Sequence, residues 1–132
     1  MKAISVNPSK GIQTGSIIRC IDNTGAKKLE VIAVRGFKGI RKRHPSAGVG
    51  GVVICAVKSG DQKIKHEIVK AVVVTQKKEF LRANGVRIKF PENTAVLIQD
   101  NMEPRGKLIK GMIAKEVVER FPMIGKIAST II

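Results

Sequence analysis

The chain has 132 residues, 43% of them hydrophobic, and carries a formal net charge of +15 from 25 Lys and Arg against 10 Asp and Glu, with no Trp and no Tyr. The Val- and Ile-rich apolar content excludes a disordered basic tail, because it is enough to bury a core. The near absence of aromatics excludes a single-strand reader that stacks bases on exposed rings, so the composition points to a folded polyanion met through its backbone, double-helical RNA read by shape.

Residues 1–14 hold no continuous apolar stretch of signal-peptide length, and nowhere do about 18 apolar residues run together as a bilayer span requires. A cytosolic protein without membrane contact is expected, with 1–14 as an N-terminal extension. A single domain is expected too, since halves of about 65 residues would each be marginal on surface-to-volume grounds.

From there to residue 99, short apolar runs broken by turn residues predict strands near Ser16–Ile21, Lys28–Arg35, Val52–Lys58, Ile68–Gln76 and Thr94–Gln99. Asp22-Asn23-Thr24-Gly25 reads as a turn between the first two, because Asp and Asn bond nearby backbone and Gly accepts positive φ. Asn84-Gly85 marks a tight hairpin flanked by Phe80-Leu81 and Val86–Phe90. The runs 52–57 and 71–74 barely alternate, which predicts strands covered on much of both faces. The fold class expected is mainly β: a small five-stranded closed barrel, which also removes exposed sheet edges. Residues 100–111, with Pro104 and Gly106, read as a long loop. From Met112 the period becomes helical, with Ile113, Val117 and Phe121 on one face. Pro122 stops that helix, and a second short one is expected from Met123 to about Ser129.

The cations fall into three clusters. No acidic residue stands between Glu30 and Asp61, and that stretch holds Arg35, Lys38, Arg41, Lys42, Arg43 and Lys58, with His44 beside them. Glycines and Pro45 break it into a loop that can approach a phosphate backbone closely. Lys77, Lys78, Arg82, Arg87 and Lys89 bracket the Asn84-Gly85 hairpin, and Arg105, Lys107 and Lys110 lie in the following loop. Residues 112–132 carry three basic and two acidic residues. That near-neutral, amphipathic end suits packing on protein, with Lys115, Glu116, Glu119 and Arg120 as its polar edge.

Catalytic and cofactor readings find little support. His44 and His66 stand beside no Ser, Cys or carboxylate in a nucleophile motif and are read as phosphate contacts or surface residues. Gly36–Gly39 and Gly48–Gly51 match neither nucleotide-binding glycine motif. Cys20 and Cys55 lie in apolar strand-like runs without C-x-x-C spacing, so buried reduced thiols are expected rather than a disulfide or a zinc site. No catalytic residue, metal or cofactor is assigned.

Several of these stretches together resemble one family. Ala71-Val72-Val73-Val74, a basic stretch to Asn84-Gly85, then Phe90, Asn93 and Val96-Leu97-Ile98 is similar to the signature of the universal large-subunit ribosomal protein fourteen family. The segments 22–27 and 47–50, Lys58 with Gly60, and Ala114-Lys115-Glu116 resemble its other landmarks in order and spacing, across Gly15 to Ile132. The N-terminal segment and the run from Arg41 to Gly50 look like the archaeal and eukaryotic branch. Leu81 departs from it, standing where that family usually has a basic residue.

The resemblance implies a five-stranded barrel with a C-terminal loop and short helices, bound to large-subunit rRNA on the face toward the small subunit. It further implies bridges to small-subunit rRNA and contacts with neighbouring large-subunit proteins including protein three. Its C-terminal region would then dock an anti-association factor. From the residues alone, a generic nucleic-acid-coating β-barrel stays open as the alternative.

Overall fold

Strand periodicity decides the architecture, and it does so by dividing apolar side chains between two faces. The computed structural model describes residues 2–132. In chain order the elements are β1 (Ile12–Gln13), β2 (Ile17–Cys20), β3 (Ala26–Val34), β4 (Ser46–Ala47), β5 (Val52–Gly60), β6 (Ile68–Thr75), β7 (Phe80–Leu81), β8 (Arg87–Ile88), β9 (Thr94–Ile98), β10 (Ile109–Ile113), α1 (Lys115–Arg120), α2 (Pro122–Ile127) and β11 (Ala128–Ile131). The barrel consists of β2, β3, β5, β6 and β9, in that order around the ring. Neighbours are antiparallel except β2 and β9, whose parallel pairing of Arg19 with Thr94 and Cys20 with Ala95 closes it. All five barrel strands read from the sequence are present.

Successive strand residues point to opposite faces, so the wall made by β6 and β9 serves two cores. Ala71 and Val73, with Ala95 and Leu97, face the barrel interior beside Leu29, Val31, Val53 and Cys55. Val72, Val74, Val96 and Ile98 face outward, where Phe80, Ile109, Ile113, Val117, Phe121 and Ile124 cover them. The unbroken apolar run at 71–74 exists because both faces of that strand are buried. The C-terminal elements therefore lie against the outer wall of the barrel.

The turn after β2 has the expected chemistry and one longer reach. Oδ1 of Asp22 accepts hydrogen bonds from the backbone N–H of Thr24 (3.3 Å), the Thr24 hydroxyl (2.6 Å) and Sγ of Cys20 (3.0 Å). Oδ2 accepts from the N–H of Leu97 on β9 at 3.0 Å. One buried carboxylate thus stitches the turn to a strand 75 residues away.

The C-terminal third corrects the sequence reading in three places. The loop expected through Gly111 ends early, because Ile109–Ile113 is strand β10, parallel to β11 with Ile109 opposite Ala128 and Ile113 opposite Ile131. Lys110 N–H donates to the carbonyl of Ile21 at 2.8 Å, which ties this backbone to the barrel and holds it extended. The helix expected from Met112 begins instead at Lys115, after Ala114 in an extended conformation (φ −75°, ψ 144°). Ile113, Val117 and Phe121 share one core as the periodicity predicts, but only Val117 is helical. Ile113 belongs to β10, and Phe121 joins the two helices. Pro122 opens α2 rather than only stopping α1, since its fixed φ and missing N–H suit a first helical position. That helix ends at Ile127, and the β-branched tail becomes a strand because β10 offers it a partner.

The N-terminal extension is tied down. The Gln76 side chain donates to the carbonyls of Ser9 and Lys78, each at 2.8 Å, and its Oε1 accepts from the N–H of Val49 at 3.1 Å. Where this segment passes Gly48, a Cβ would sit 2.6 Å from the Ser9 carbonyl oxygen, so only glycine fits.

Candidate nucleic-acid interface

The first basic cluster is carried on the excursion between β3 and β4. Gly36 (φ 78°) turns the chain out of β3, and a second turn, closed by Arg43 N–H to the Ile40 carbonyl at 3.0 Å, has Lys42 at φ 64°. β4 pairs with β1 and brings the chain back to the barrel. Lys38, Arg41, Lys42, Arg43 and His44 are all exposed, with Ile40, 54% exposed, among them. None of these cations has an ion-pair partner among the described residues. Arg35, also exposed, directs Nη1 at Sδ of Met102 (3.4 Å).

The second cluster divides. Lys77, Lys78, Arg87 and Lys89 are exposed around the β7–β8 hairpin, whose turn is closed by Gly85 (φ 85°) and by Oδ1 of Asn84 accepting from Val86 N–H at 3.1 Å. Arg87 lies 3.6 Å from Glu79, an exposed pair of the kind worth about 0–1 kcal/mol, so its charge stays available to a phosphate. Arg82 is different. Its Nε and Nη2 donate to the two carboxylate oxygens of Glu116 (2.8 and 3.4 Å), Nη2 also donates to the Ile132 carbonyl (2.7 Å), and its guanidinium lies 6.0 Å from the Phe80 ring centre. It joins the hairpin to α1 and the C-terminus.

In the third cluster Arg105 is within 3.4 Å of Glu67, while Lys107 and Lys110 are exposed and unpaired among the described residues. Lys110 lines a groove of about 760 Å³ together with Arg19, Lys27 and Lys28, none of which the sequence placed in a basic cluster: Arg19 and Lys28 fall in expected strands and Lys27 in the segment just before the second. Arg19 stands directly opposite Lys28 in the β2–β3 register. Register shifts on either side of Lys28 leave Lys27 and Lys28 both exposed, as a β-bulge does when it re-aims a side chain. Two consecutive lysines at the start of a largely apolar strand were the signal that could have found them.

At the C-terminal end Lys115 and Glu119 are exposed as expected. Glu116, read as part of the polar edge, is 1% exposed and faces inward to Arg82. Arg120 turns toward the barrel, with Nη1 donating to the Gly50 carbonyl at 3.3 Å. The same segment also exposes apolar side chains, Met112 on β10, Met123 on α2, Ile131 on β11 and the following Ile132.

Both cysteines are free and buried in the barrel core. Burial pushes the Cys20 thiol from an ordinary 9.0 up to about 12, helped by the negative charge of Asp22. Burial alone does the same for Cys55. A thiolate is the reactive form, so neither cysteine should react with a thiol-specific disulfide reagent at pH 8 until the protein unfolds. Protons held more tightly in the fold stabilise it below the unfolded thiol's pKa, so stability should fall as pH rises from about 9 toward about 12. Rapid labelling of either thiol at pH 8 in native buffer would contradict the burial.

The protein-family model described as Ribosomal protein L14p/L23e matches residues 11–132. The chain is 45% identical over 132 residues to large ribosomal subunit protein uL14 of Methanocorpusculum labreanum, covering the whole of both chains. It is 48% identical over 130 residues to uL14 of Halorubrum lacusprofundi, covering 98% of this chain and 96% of that one. Against uL14 of Haloarcula marismortui it is 41% identical over 132 residues, again the full length of both. These relatives are archaeal, in keeping with the extension and the Arg-rich loop. The chain belongs to the ribosomal protein L14p/L23e family, and so is a structural constituent of the large subunit of the cytoplasmic ribosome and not an enzyme.

Proposed function

We propose that this protein binds large-subunit rRNA through phosphate contacts and helical shape, using the exposed cations of its three clusters other than Arg82. The observation that carries the reading is the 38–44 excursion, where five exposed basic or imidazole side chains project without a carboxylate partner on a chain of net charge +15. Like charges held together on a loop repel one another until a polyanion neutralises them. The excursion also reaches small-subunit rRNA and contributes to an intersubunit bridge, its glycines and exposed Ile40 allowing close approach. Reversing Arg41, Lys42 and Arg43 to Glu should reduce incorporation into large subunits, or subunit joining, on sucrose gradients. The unfolding temperature should stay within a few degrees of the parent, because these side chains touch neither core. A large drop in unfolding temperature would assign the segment to the fold instead.

The C-terminal end serves protein partners: a neighbouring large-subunit protein such as protein three, and an anti-association factor. Support comes from its near-neutral charge, the exposed Met112, Met123, Ile131 and Ile132, and the exposed Lys115 and Glu119. Exposed apolar side chains on a near-neutral segment that also carries charges are the composition expected of a protein-docking surface. Exchanging the two charges, Lys115→Glu with Glu119→Lys, should weaken binding of an anti-association factor to isolated large subunits about tenfold and leave rRNA affinity unchanged. Equal loss of both would remove the division between an RNA face and a protein end.

A further inference from the structure

The N-terminal segment folds back over the end of β3 and residues 46–52. Lys2 N–H donates to the Arg120 carbonyl at 3.0 Å and Gln76 holds Ser9. Between this segment, the end of β3 and residues 46–52 lies a cavity of about 400 Å³. Three cations line it, Lys10, Arg35 and Arg120, and no carboxylate does. Much of the remaining wall is apolar, including Ile4, Pro8 and Phe37. Among the described residues, Arg120 Nε is the buried side-chain nitrogen or oxygen that has no hydrogen-bond partner. Arg120 is half-buried, its Nη1 donates to the Gly50 carbonyl at 3.3 Å, and no carboxylate pairs with it among the described residues. Three cations around one cavity repel one another until a negative charge neutralises them.

We propose that this cavity seats a phosphodiester group of the large-subunit rRNA strand, with Arg120 and Arg35 as its donors and the exposed Lys10 beside them. The proposal rests on the rRNA-binding reading above and adds a site to it. The volume is far more than an inorganic phosphate fills and falls within the range that holds a nucleotide-sized group. The apolar wall would lie against sugar or base. Arg35, Gly36 and Phe37 line the cavity and lead straight into Lys38, so a strand that follows the cations of the excursion arrives here. The matched family range begins at residue 11, which leaves the Ile4–Lys10 wall outside it.

The test is a salt titration of rRNA binding by the full-length protein and by Arg120→Met and Lys10→Met variants. Methionine keeps the aliphatic stem and removes the charge. Each variant should lower affinity roughly tenfold at about 0.1 M salt and reduce the slope of log affinity against log salt by about one phosphate contact. Lys10 is exposed, so its variant reports even if Arg120→Met unfolds. Wild-type affinity and slope in Lys10→Met and in any folded Arg120→Met, while the Arg41, Lys42 and Arg43 reversal still loses binding, would overturn this site and leave the rRNA reading standing. A salt-independent wild type would overturn that reading itself. In a second arm, inorganic phosphate is compared with chloride at equal ionic strength. If phosphate raises the wild-type unfolding temperature but not that of the variants, and the RNA slope is the same in all of them, the occupant is a free anion and the RNA assignment is wrong.

Discussion

Raising salt from about 50 to about 200 mM is expected to weaken binding of the free protein to large-subunit rRNA by about three to five orders of magnitude. That follows if the basic face neutralises about six to ten phosphates, since each contributes about −0.9 to the logarithmic slope on a duplex. The structure sorts which cations can take part. Lys38, Arg41, Lys42, Arg43, Lys77, Lys78, Lys107 and Lys110 are exposed and outside the ion pairs of the described residues. Arg87 and Arg105 have exposed partners in Glu79 and Glu67, and pairs of that kind contribute so little that a phosphate can displace the carboxylate. Because these contacts read backbone and groove shape, changing base identity while keeping RNA secondary structure should alter affinity far less than the salt does. A slope near zero in a filter-binding or anisotropy titration would remove the phosphate-contact reading.

Glu116→Ala is expected to destabilise the protein by about 3–5 kcal/mol, as removal of one partner from a buried ion pair does, because the other charge is left desolvated and alone. The Glu116 side chain is 1% exposed and that of Arg82 10%, and the pair is joined by two hydrogen bonds. Arg82→Ala should lose a similar amount and also release the Ile132 carbonyl, which it holds at 2.7 Å. The double variant should lose much less than the sum, since removing both partners leaves no stranded charge. Urea unfolding of the four proteins measures all three quantities. Hydrogen exchange in Arg82→Ala should rise first at 109–113 and 128–132, where β10 and β11 depend on the clamp. A loss below about 1 kcal/mol for Glu116→Ala would mean the pair behaves like an exposed one. The same interaction makes a functional statement: a guanidinium already shared between a carboxylate and a carbonyl has little left for phosphate, so Arg82→Met should leave the rRNA salt slope unchanged.

How much of this was legible in the sequence depends on the range over which each signal acts. Asn84-Gly85 and Asp22–Gly25 named their turns because the chemistry is contained in a few residues: a side-chain oxygen near its own backbone and a glycine at positive φ (85° at Gly85, 99° at Gly25). The run 71–74 announced a strand buried on both faces, and with the other four runs it was enough for a barrel. The composition stated the basic surface and the near-neutral C-terminal end. What lay beyond it was every pairing between distant segments. Ile113 and Phe121 kept helical spacing, yet Ile113 became a strand because Ala128–Ile131 pairs with 109–113. The locally helical period lost to backbone hydrogen bonds with a partner that the window could not contain. Glu116 looked like one more charge on a polar edge until the fold set it against Arg82, 34 residues earlier. Arg120 looked the same, and was brought beneath an N-terminal segment held by Gln76. Sequence by itself thus determined fold class, the barrel strands and the sign of the surface, because periodicity, turn chemistry and charge are local or additive. Tertiary structure alone decided which charges are free and which are spent on one another, because a charged side chain's environment is made by residues far from it in the chain.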